Sequence, residues 1–390
     1  MSSYADFQLD TYVDGATDPE GSVGSLPFTA DAMRDRARER MSPEAFAYVD
    51  GSAGNETTAR ANRAAFDRYA LSPRLLRPRR DGAGSDLGTT LFGATYPNPL
   101  LAAPVGVLEQ VHPEAELALV RGANRNGVPV VLSSVSSTPL EEVAEAVDRW
   151  WFQLYWPSDD KVAESFVRRA ERAGAEAIVV TADTPRLGWR PRDLERAHLP
   201  FLHGQGSATY FTDEEFVAGL GHRPELGTLN DSVAHFLRVY VNRGLDVTNV
   251  TRLRAWTDLP VLVKGITRAD EAAELVARGI DGIVVSNHGG RQVDNAVAAL
   301  DALPAVVEAV GSSATVLFDS GVRSGADAAV ALTLGARAVL VGRPWIYGLG
   351  AAGEAGVEHV LRCLLAELQV TCELLGVDAR DLTADDVVRR

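Results

Sequence analysis

The stretch that decides the fold reads PVLVKGITRADEAAELVARGIDGIVVSN and covers residues 260–287. Two short apolar runs, 260–266 and 282–287, flank a segment with helical periodicity at 268–278. Continuous apolar runs of this length are typical of parallel strands that are buried on both faces. The stretch therefore predicts one strand–helix–strand unit.

The same alternation recurs along the chain from residue 100 onward. Apolar runs stand at residues 100–105, 129–134, 150–155, 177–183, 260–266, 282–287, 315–320 and 338–342. Helical segments lie between them at 113–126, 139–146, 159–173, 268–278, 296–310 and 325–334. Eight strands alternating with helices predict an α/β fold of the closed (β/α)8 or TIM-barrel type, although the alternation also permits an open doubly wound sheet.

One connection interrupts this rhythm, because residues 186–258 separate the fourth and fifth runs. Loops of this length are usually functional or disordered. We interpret this insertion as a lid over the mouth of the barrel, and for residues 219–230 a disordered linker is an equal alternative. Residues 1–99 are interpreted as a helical N-terminal cap over the bottom of the barrel, followed by a segment that returns to its top. Residues 1–390 are thus predicted to form a single domain.

Composition limits the partners and the location of the chain. Its formal net charge of −15 argues against nucleic acids and anionic membrane surfaces as partners. The N-terminal stretch MSSYADFQLDTYVDG has neither the basic nor the apolar region of a secretion signal, and no apolar run is long enough to span a bilayer. Cys363 and Cys372 are too far apart on one helical segment to pair, which indicates buried packing residues in a reducing compartment. The cytoplasm is the expected location.

Polar side chains stand at the ends of the apolar runs, where a barrel places its active site. They are Gln153 and Tyr155, Thr181 and Asp183, Lys264, Ser286 and His288, Asp319, and Gly342 with Arg343. One such residue alone would be explained as a polar cap on the core. Burying all of them without partners would cost several kilocalories, so the set indicates a functional site.

The densest cluster is SNHGGR at residues 286–291. The two glycines after His288 allow a flat ligand to approach closely, and Arg291 can bind a carboxylate through two N–H groups. Asp183 is expected to accept a hydrogen bond from the His288 ring and fix its tautomer. The cluster predicts an acid–base histidine next to an anion site, and the alternative is a glycine-rich turn with a structural histidine.

A phosphate site is predicted at the ends of the seventh and eighth runs, where DSGVR occupies 319–323 and GR occupies 342–343. The loops after these two strands are the usual phosphate site of barrels, with backbone N–H groups and arginines as ligands. Lys264 is suited to neutralise negative charge that develops on a bound ring. A salt bridge between Lys264 and Asp319 is the alternative.

Taken together, these motifs resemble those of the FMN-dependent 2-hydroxy-acid oxidising enzymes, which include glycolate oxidase, lactate oxidase, mandelate dehydrogenase and lactate 2-monooxygenase. The likeness runs from about residue 48 to the C-terminus. Its segments are SNHGGRQ at 286–292, APVG at 103–106, FQLY at 152–155, TADT at 181–184, KG at 264–265 and DSGVR at 319–323. The resemblance implies FMN as cofactor, no metal, a small 2-hydroxy acid and molecular oxygen as substrates, and a homo-oligomer that is a tetramer or octamer.

Position by position, the resemblance implies two sets of site residues. FMN is expected to bind to Pro104, Val105, Gly106, Ser133, Gln153, Thr181, Lys264, Ser286, Asp319, Ser320, Gly321, Arg323, Gly342 and Arg343. The substrate is expected to meet Tyr48 and Tyr155, the carboxylate-binding Arg190 and Arg291, and the base His288 with its supporting Asp183. The strand ends indicate His288, Arg291 and Asp183 without the resemblance, whereas Tyr48 and Arg190 follow from it alone.

Within the family, the insertion resembles the long lid of lactate 2-monooxygenase at residues 188–194, 200–202 and 210–216. A closed lid would keep the keto acid and hydrogen peroxide together, so that the product is decarboxylated. The expected activity is oxidation of an (S)-2-hydroxy acid to the 2-keto acid, followed by oxidative decarboxylation. The alternatives are a lactate-, glycolate- or mandelate-type oxidase that releases peroxide and, in a different class, an FMN-dependent non-redox isomerase.

Two places depart from the family pattern in the wall of the expected pocket. Val135 stands where many plant-type members have a bulky tryptophan, and residues 108–110 after Gly106 match the monooxygenase poorly. The size of the substrate therefore stays open between lactate and an aromatic or branched 2-hydroxy acid.

Overall fold

The barrel predicted from the alternating runs is present in the computed structural model, which describes residues 3–18, 26–76 and 84–390. Its strands are β1 Leu100–Ala102, β2 Val130–Ser133, β3 Trp150–Leu154, β4 Ile178–Thr181, β5 Val261–Ile266, β6 Gly282–Val285, β7 Thr315–Phe318 and β8 Ala338–Val341. All neighbours are parallel, and the sheet closes in the order β7-β8-β1-β2-β3-β4-β5-β6. The open doubly wound sheet is therefore excluded.

Alternate residues of the strands pack on opposite sides of the barrel wall. The interior is filled by a cluster that includes Leu101, Val131, Trp151, Val179, Leu262, Val284, Leu317 and Leu340. Their neighbours along the strands, such as Val130, Leu132 and Val180, pack outward against the helices. Burial on both faces explains why the strands are apolar runs without polar alternation.

Helices follow the strands as the periodicity predicts, with ends within a few residues of those expected. They are Ala115–Asn124, Leu140–Ala146, Asp160–Arg172, Ala269–Ala277, Ala299–Val310 and Gly325–Thr333, and a further helix, Arg343–Leu375, follows the last strand. The last helix contains both cysteines, of which Cys372 is buried and Cys363 is partly exposed. Among the described residues, no helix is both long and apolar enough to cross a membrane.

The N-terminal segment reaches both ends of the barrel. Its helices are Asp6–Thr17, Ala30–Arg40, Pro43–Asp50 and Thr57–Phe66, and the strand Tyr69–Leu71 pairs with the C-terminal strand Val387–Arg389. A hairpin of Thr89–Leu91 and Ala94–Tyr96 closes the end at which the barrel strands begin, where Tyr96 accepts the indole N–H of Trp151 at 3.1 Å.

The interpretation from sequence put a bottom cap first and a segment that returns to the top after it. Tyr4 does contact Asn98 and Asn126 near the starts of the first two barrel strands, but the hairpin that closes the bottom comes after the helix that reaches the top. The hairpin closes the bottom because it lies directly before β1, whereas the earlier helix Pro43–Asp50 brings Tyr48 to the top. The arginine-containing part of the expected return segment includes residues 77–83, which lie outside the described residues.

The insertion between β4 and β5 forms short helices: Pro191–Leu194, Pro200–His203, Ala208–Phe211, Glu214–Leu220, Asp231–Val239, Val247–Arg252 and Leu253–Ala255. Its centre is an aromatic cluster, in which the ring of Tyr210 lies 5.0 Å from that of Phe236 and 4.7 Å from that of the barrel-helix residue Phe166. Within residues 219–230, the Leu229 N–H donates to the Leu202 carbonyl at 2.9 Å. The insertion is thus packed onto the barrel by apolar contacts.

Close helix packing makes Gly325 a sensitive position. A Cβ atom at Gly325 would lie 2.2 Å from the Leu368 nitrogen and 2.5 Å from the Leu364 carbonyl oxygen. We expect Gly325→Ala to lower the free energy of unfolding by about 1–3 kcal/mol, as overpacking usually does. Urea unfolding followed by circular dichroism measures this. Gly15→Ala is the matched control, since its Cβ would have nothing within 4 Å, and an equal effect of both changes would contradict the packing argument.

Candidate active site

A cavity that is partly open to solvent lies at the C-terminal ends of the barrel strands. The predicted site residues that line it are Tyr48, Pro104, Val105, Gly106, Tyr155, Arg190, Lys264, His288, Arg291, Asp319, Ser320, Gly321, Arg323, Gly342 and Arg343. The remaining ones are linked to these or to one another by hydrogen bonds and are Ser133, Gln153, Thr181, Asp183 and Ser286. The structure therefore brings the two predicted sets together in one place.

A strained turn directly after β6 places His288 in the cavity. His288, Gly289 and Gly290 all have positive φ, which is +57° at His288. Asn287 Oδ1 accepts the Gly290 N–H at 3.1 Å, and Ser320 Oγ accepts the Gly289 N–H at 3.0 Å. A non-glycine residue in the left-handed region costs on the order of 1–3 kcal/mol. These hydrogen bonds hold the turn in that conformation.

The His288 ring is hydrogen-bonded to Asp183, which follows β4. Nδ1 lies 2.8 Å from Asp183 Oδ1, and Thr184 Oγ1 donates to the same oxygen at 2.9 Å. Gly265 leaves room for this carboxylate, because a Cβ there would lie 2.7 Å from it. Since Asp183 faces Nδ1, the free nitrogen is Nε2, which lies 3.5 Å from the Tyr155 hydroxyl.

The pKa values of this pair favour a neutral histidine and an ionised aspartate. Burial lowers the pKa of His288, and Lys264 lowers it further, which together outweigh the opposite effect of Asp183. Burial would raise the pKa of Asp183, but His288 and Lys264 hold it below its ordinary value. A neutral imidazole backed by a carboxylate can accept a proton at Nε2, and the carboxylate stabilises the cation that results.

Two arginines lie close together in the cavity wall. Arg190 Nε donates to the Arg291 carbonyl at 3.1 Å, and Arg291 Nη1 donates to the carbonyls of Tyr48 and Gly51 at 2.7 Å each. Burial and the neighbouring Arg190 lower the pKa of Arg291 to about 9. A bound anion would offset the cost of burying these two cations and would reduce the repulsion between them, so the pair is suited to bind a carboxylate.

Lys264 forms the salt bridge with Asp319 that the sequence analysis gave as the alternative to charge neutralisation on a bound ring. Its Nζ lies 2.9 Å from Asp319 Oδ2 and donates to Ser286 Oγ at 2.9 Å. Burial would lower the pKa of Lys264, but Asp319 and Asp183 raise it above its ordinary value. The ammonium group is therefore charged, buried and held at the centre of the barrel mouth.

A chain of buried amide and hydroxyl groups joins three neighbouring strands. The Ser133 hydroxyl donates to Gln153 Oε1 at 3.0 Å, and Gln153 Nε2 donates to the Thr181 hydroxyl at 2.9 Å. The chain fixes the Gln153 amide, since both of its ends are engaged. Next to it, Gly106 leaves the backbone open, because a Cβ there would lie 2.5 Å from the Val135 carbonyl oxygen.

The two arginines of the expected phosphate site have different surroundings. The Arg323 guanidinium donates to the Val322 carbonyl at 2.8 Å. Burial and the cations Arg343 and Arg63 lower the pKa of Arg323 to about 10. The Arg343 guanidinium donates instead to the carbonyls of Val49, Gly51 and Gly289 and to the Ser52 hydroxyl. Arg343 therefore joins the N-terminal segment to the histidine turn, which the sequence did not reveal.

Reasoning from sequence also missed two positioning contacts. Gln292 accepts the Arg190 Nη2–H at 3.0 Å and donates to the Asp183 carbonyl at 2.7 Å, so it connects the anion site to the base. Arg192 donates to Asp50 at 2.6 Å, which joins the start of the insertion to the helix that contains Tyr48. The signals for Gln292 were its place directly after Arg291 and its position at the end of the family segment SNHGGRQ.

Comparison with known proteins assigns the chain to a family. The sequence model of the FMN-dependent dehydrogenase family matches residues 37–390. The chain belongs to this family. Its cofactor is accordingly FMN, and it is an FMN-dependent 2-hydroxy-acid oxidoreductase, as its relatives are.

Several relatives cover nearly the whole chain. An L-lactate oxidase of Lysinibacillus sphaericus is 43% identical over 340 residues, which are 87% of this chain and 86% of the relative. The FMN-dependent alpha-hydroxy acid dehydrogenase qulF of Penicillium citrinum is 40% identical over 96% of this chain and 93% of its own. A crystal structure of mandelate oxidase with (S)-4-hydroxymandelic acid superposes with a TM-score of 0.82 at 38% identity, covering 93% of this chain and 99% of the other.

The cavity fits the cofactor that the FMN-dependent dehydrogenase family uses. The cation Arg323 suits a ligand with an anionic phosphate, because burial and the neighbouring cations lower its pKa despite the opposite effect of Asp327. The fixed Gln153 amide and the open backbone at Gly106 suit close approach of a flat polar ring.

The contrast between Arg323 and Arg343 leads to a prediction about FMN binding. Arg323→Met should weaken FMN binding by about tenfold or more, since one charge-assisted hydrogen bond is worth about 1.5–3 kcal/mol. The FMN-free protein should unfold at an unchanged urea concentration. Arg343→Met should additionally destabilise the FMN-free protein, because it removes the bonds to Val49, Gly51 and Gly289. Titration of flavin fluorescence gives the dissociation constant, and full FMN affinity in Arg323→Met would reject the phosphate site.

Proposed function

We propose that the chain oxidises an (S)-2-hydroxy acid to the 2-keto acid, with molecular oxygen as the final electron acceptor. The observation that supports this is one cavity in which the neutral His288, paired with Asp183, lies with two adjacent guanidinium groups, Arg190 and Arg291. A 2-hydroxy acid presents a carboxylate and a hydroxyl on adjacent carbons. Arg190 and Arg291 match the carboxylate, and His288 matches the hydroxyl.

Arg190 and Arg291 bind the substrate carboxylate in this proposal. Two guanidinium groups provide several N–H donors in fixed planes, so they fix the orientation of the acid as well as its charge. The Tyr155 hydroxyl points at the same region, and burial and Asp183 hold its pKa well above the ordinary value, so it remains a donor. Tyr48 packs under Arg291, whose guanidinium lies 5.1 Å from the ring centre.

His288 is the base for the hydroxyl proton. Nε2 is free to accept this proton, and Asp183 on Nδ1 stabilises the imidazolium that forms. The strained turn after β6 keeps the ring at one place, so little reorganisation precedes the reaction.

The FMN site is proposed to comprise the barrel-end residues predicted from the family pattern. The backbone at 104–106, the side chains of Ser133, Gln153, Thr181 and Ser286, the loop 319–323 and residues 342–343 would hold it, with Lys264 next to the ring. FMN, when bound, takes up the two electrons released from the substrate Cα–H bond and returns them to oxygen. Lys264 stays charged throughout and stabilises negative charge that develops nearby.

For the second half of the reaction, we propose oxidative decarboxylation within the closed site. The keto acid and hydrogen peroxide would combine to give a carboxylic acid shorter by one carbon, carbon dioxide and water. Phe201 and Tyr240 of the insertion line the cavity and are in ring contact at 5.2 Å, which supports the role of residues 186–258 as a lid on a single barrel domain. A homo-oligomer stays a prediction from the family resemblance.

Release of peroxide is the second candidate for this step. It is favoured by the names of two relatives, the L-lactate oxidase and a 4-hydroxymandelate oxidase of Amycolatopsis orientalis that is 40% identical over 88% of this chain and 93% of its own. Both candidates share the first half-reaction.

Removal of the base gives the test of the first half-reaction. His288→Ala should retain FMN but slow anaerobic reduction of the flavin by about 10²–10⁴-fold. In the intact protein, acid should abolish reduction by protonating the imidazole. Because the His288 pKa lies below the ordinary value of about 6.5, the rate should be constant at neutral pH and fall only in more acid solution.

Asp183→Asn is the control for the assigned pair. Asp183 raises the pKa of His288, so its neutralisation should move the acid limb to still lower pH while lowering the maximal rate. Near wild-type reduction by His288→Ala, or an acid limb that moves upward in Asp183→Asn, would disprove the assignment.

A product balance tests the fate of the keto acid. Per oxygen consumed, the intact protein should yield carbon dioxide and little free peroxide. Tyr240→Ala should shift the products toward keto acid and peroxide by opening the lid side of the cavity, whereas Tyr240→Phe retains the ring and should not. A full equivalent of peroxide from the intact protein would make it an oxidase and leave the first half-reaction unaffected.

A further inference from the structure

The wall of the active-site cavity contains a polar side chain that the mechanism does not use. Gln110 is the last residue of the short 3-10 helix Leu108–Gln110, which follows β1, and it lines the cavity. This helix is one of the two places where the sequence departs from the family pattern. Gln110 is therefore a candidate for a property that is particular to this chain.

The amide of Gln110 is satisfied at one end within the part of the chain that the structure describes. Its Oε1 lies 3.0 Å from His198 Nε2. Its Nε2 is buried and has no hydrogen-bond partner among residues 3–18, 26–76 and 84–390. A buried donor without a partner is destabilising, so it is expected to be satisfied when a ligand fills the cavity.

His198 is itself held in place, which limits how Gln110 can turn. Its backbone N–H donates to the Asp193 carbonyl at 3.0 Å, and its ring lies edge-on to Tyr48 with 6.2 Å between ring centres. His198 belongs to the insertion and Tyr48 to the N-terminal segment. Gln110 is thus fixed between the barrel and the two segments that cover its mouth.

The neighbouring wall is apolar. Val107, Val135 and Phe201 lie close together, since a Cβ built on Gly206 would be 3.1 Å from Val107, 2.9 Å from the Val135 carbonyl oxygen and 3.4 Å from Phe201. Val111 and Leu187 also line the cavity. The wall can receive an apolar substrate side chain, and the Gln110 amide offers that side chain a hydrogen-bond donor.

We propose that Gln110 determines substrate selectivity and that the preferred substrates are 2-hydroxy acids with an apolar side chain that ends in a hydroxyl group. This inference rests on the proposed function, because it presupposes an acid bound through Arg190 and Arg291. The hydroxyl oxygen accepts the free N–H of the amide. A substrate of the same shape without the hydroxyl leaves this donor unpaired, which a polar site discriminates against strongly.

Matched substrate pairs test the proposal. The pairs are (S)-mandelate with (S)-4-hydroxymandelate, and (S)-3-phenyllactate with its 4-hydroxyphenyl analogue. For at least one pair, kcat/KM should favour the hydroxylated acid by about tenfold or more. Gln110→Met keeps the length of the side chain and removes the amide, so it should reduce this ratio to near one, mainly through the hydroxylated acid.

Glu109→Gln is the matched control on the same helix. Glu109 accepts the Gly206 N–H at 3.1 Å, a bond that glutamine preserves, so this variant should retain the wild-type ratio. A ratio near one in the intact protein for both pairs, or an unchanged preference in Gln110→Met, would overturn the proposal.

A binding measurement separates this proposal from the proposed function. Benzoylformate and 4-hydroxybenzoylformate are keto acids that bind without donating electrons, and their dissociation constants from the FMN-loaded protein can be read from the flavin spectrum. Tighter binding of the hydroxylated keto acid that is lost in Gln110→Met supports the role of Gln110. If no 2-hydroxy acid reduces the flavin under anaerobic conditions, the proposed function is rejected, whereas equal binding of the two keto acids rejects the role of Gln110.

Discussion

Positive charge concentrated in a single cavity is the constraint on which the arrangement of this site depends. Arg190, Lys264, Arg291, Arg323 and Arg343 all line it, in a chain whose formal net charge is −15. Burial and mutual repulsion lower the pKa values of Arg291 and Arg323 to about 9 and about 10. Cations held together in this way favour anionic ligands, and a phosphorylated cofactor and a carboxylate substrate are two such ligands.

The barrel spreads these cations over different loops at its mouth, and two of them, Lys264 and Arg343, are held there by local bonds. Lys264 on β5 is held by Asp319 after β7, and the Arg343 guanidinium after β8 is held by three backbone carbonyls. The base His288 has a partner of its own, Asp183. The Asp183 carboxylate fits at this place only because Gly265 has no side chain. Rigid placement of charge lowers the reorganisation that a reaction requires.

The fold and most of the site were accessible from the sequence because both follow from local patterns. Buried strands are apolar runs, and polar residues that end such runs meet at one barrel mouth, which is how His288, Asp183 and Lys264 could be predicted. Contacts between distant segments have no such pattern. The bonds of Arg343 to Val49 and Gly51 and the pairing of Arg192 with Asp50 depend on how the segment before the first barrel strand folds back, which sequence periodicity does not indicate.

In the proposed reaction, the insertion links substrate selectivity to the fate of the keto acid. Phe201 and Tyr240 line the cavity with apolar side chains, and His198 contacts the Gln110 amide, so the insertion forms part of the cavity wall. A substrate that satisfies Gln110 would also stabilise the contact between the wall and the insertion, because the amide links the two. Retention of the keto acid should then depend on its side chain: an acid that leaves Gln110 unpaired closes the site less well and releases more peroxide. In the proposed reaction, selectivity and product outcome would thus both depend on one polar contact in an apolar wall.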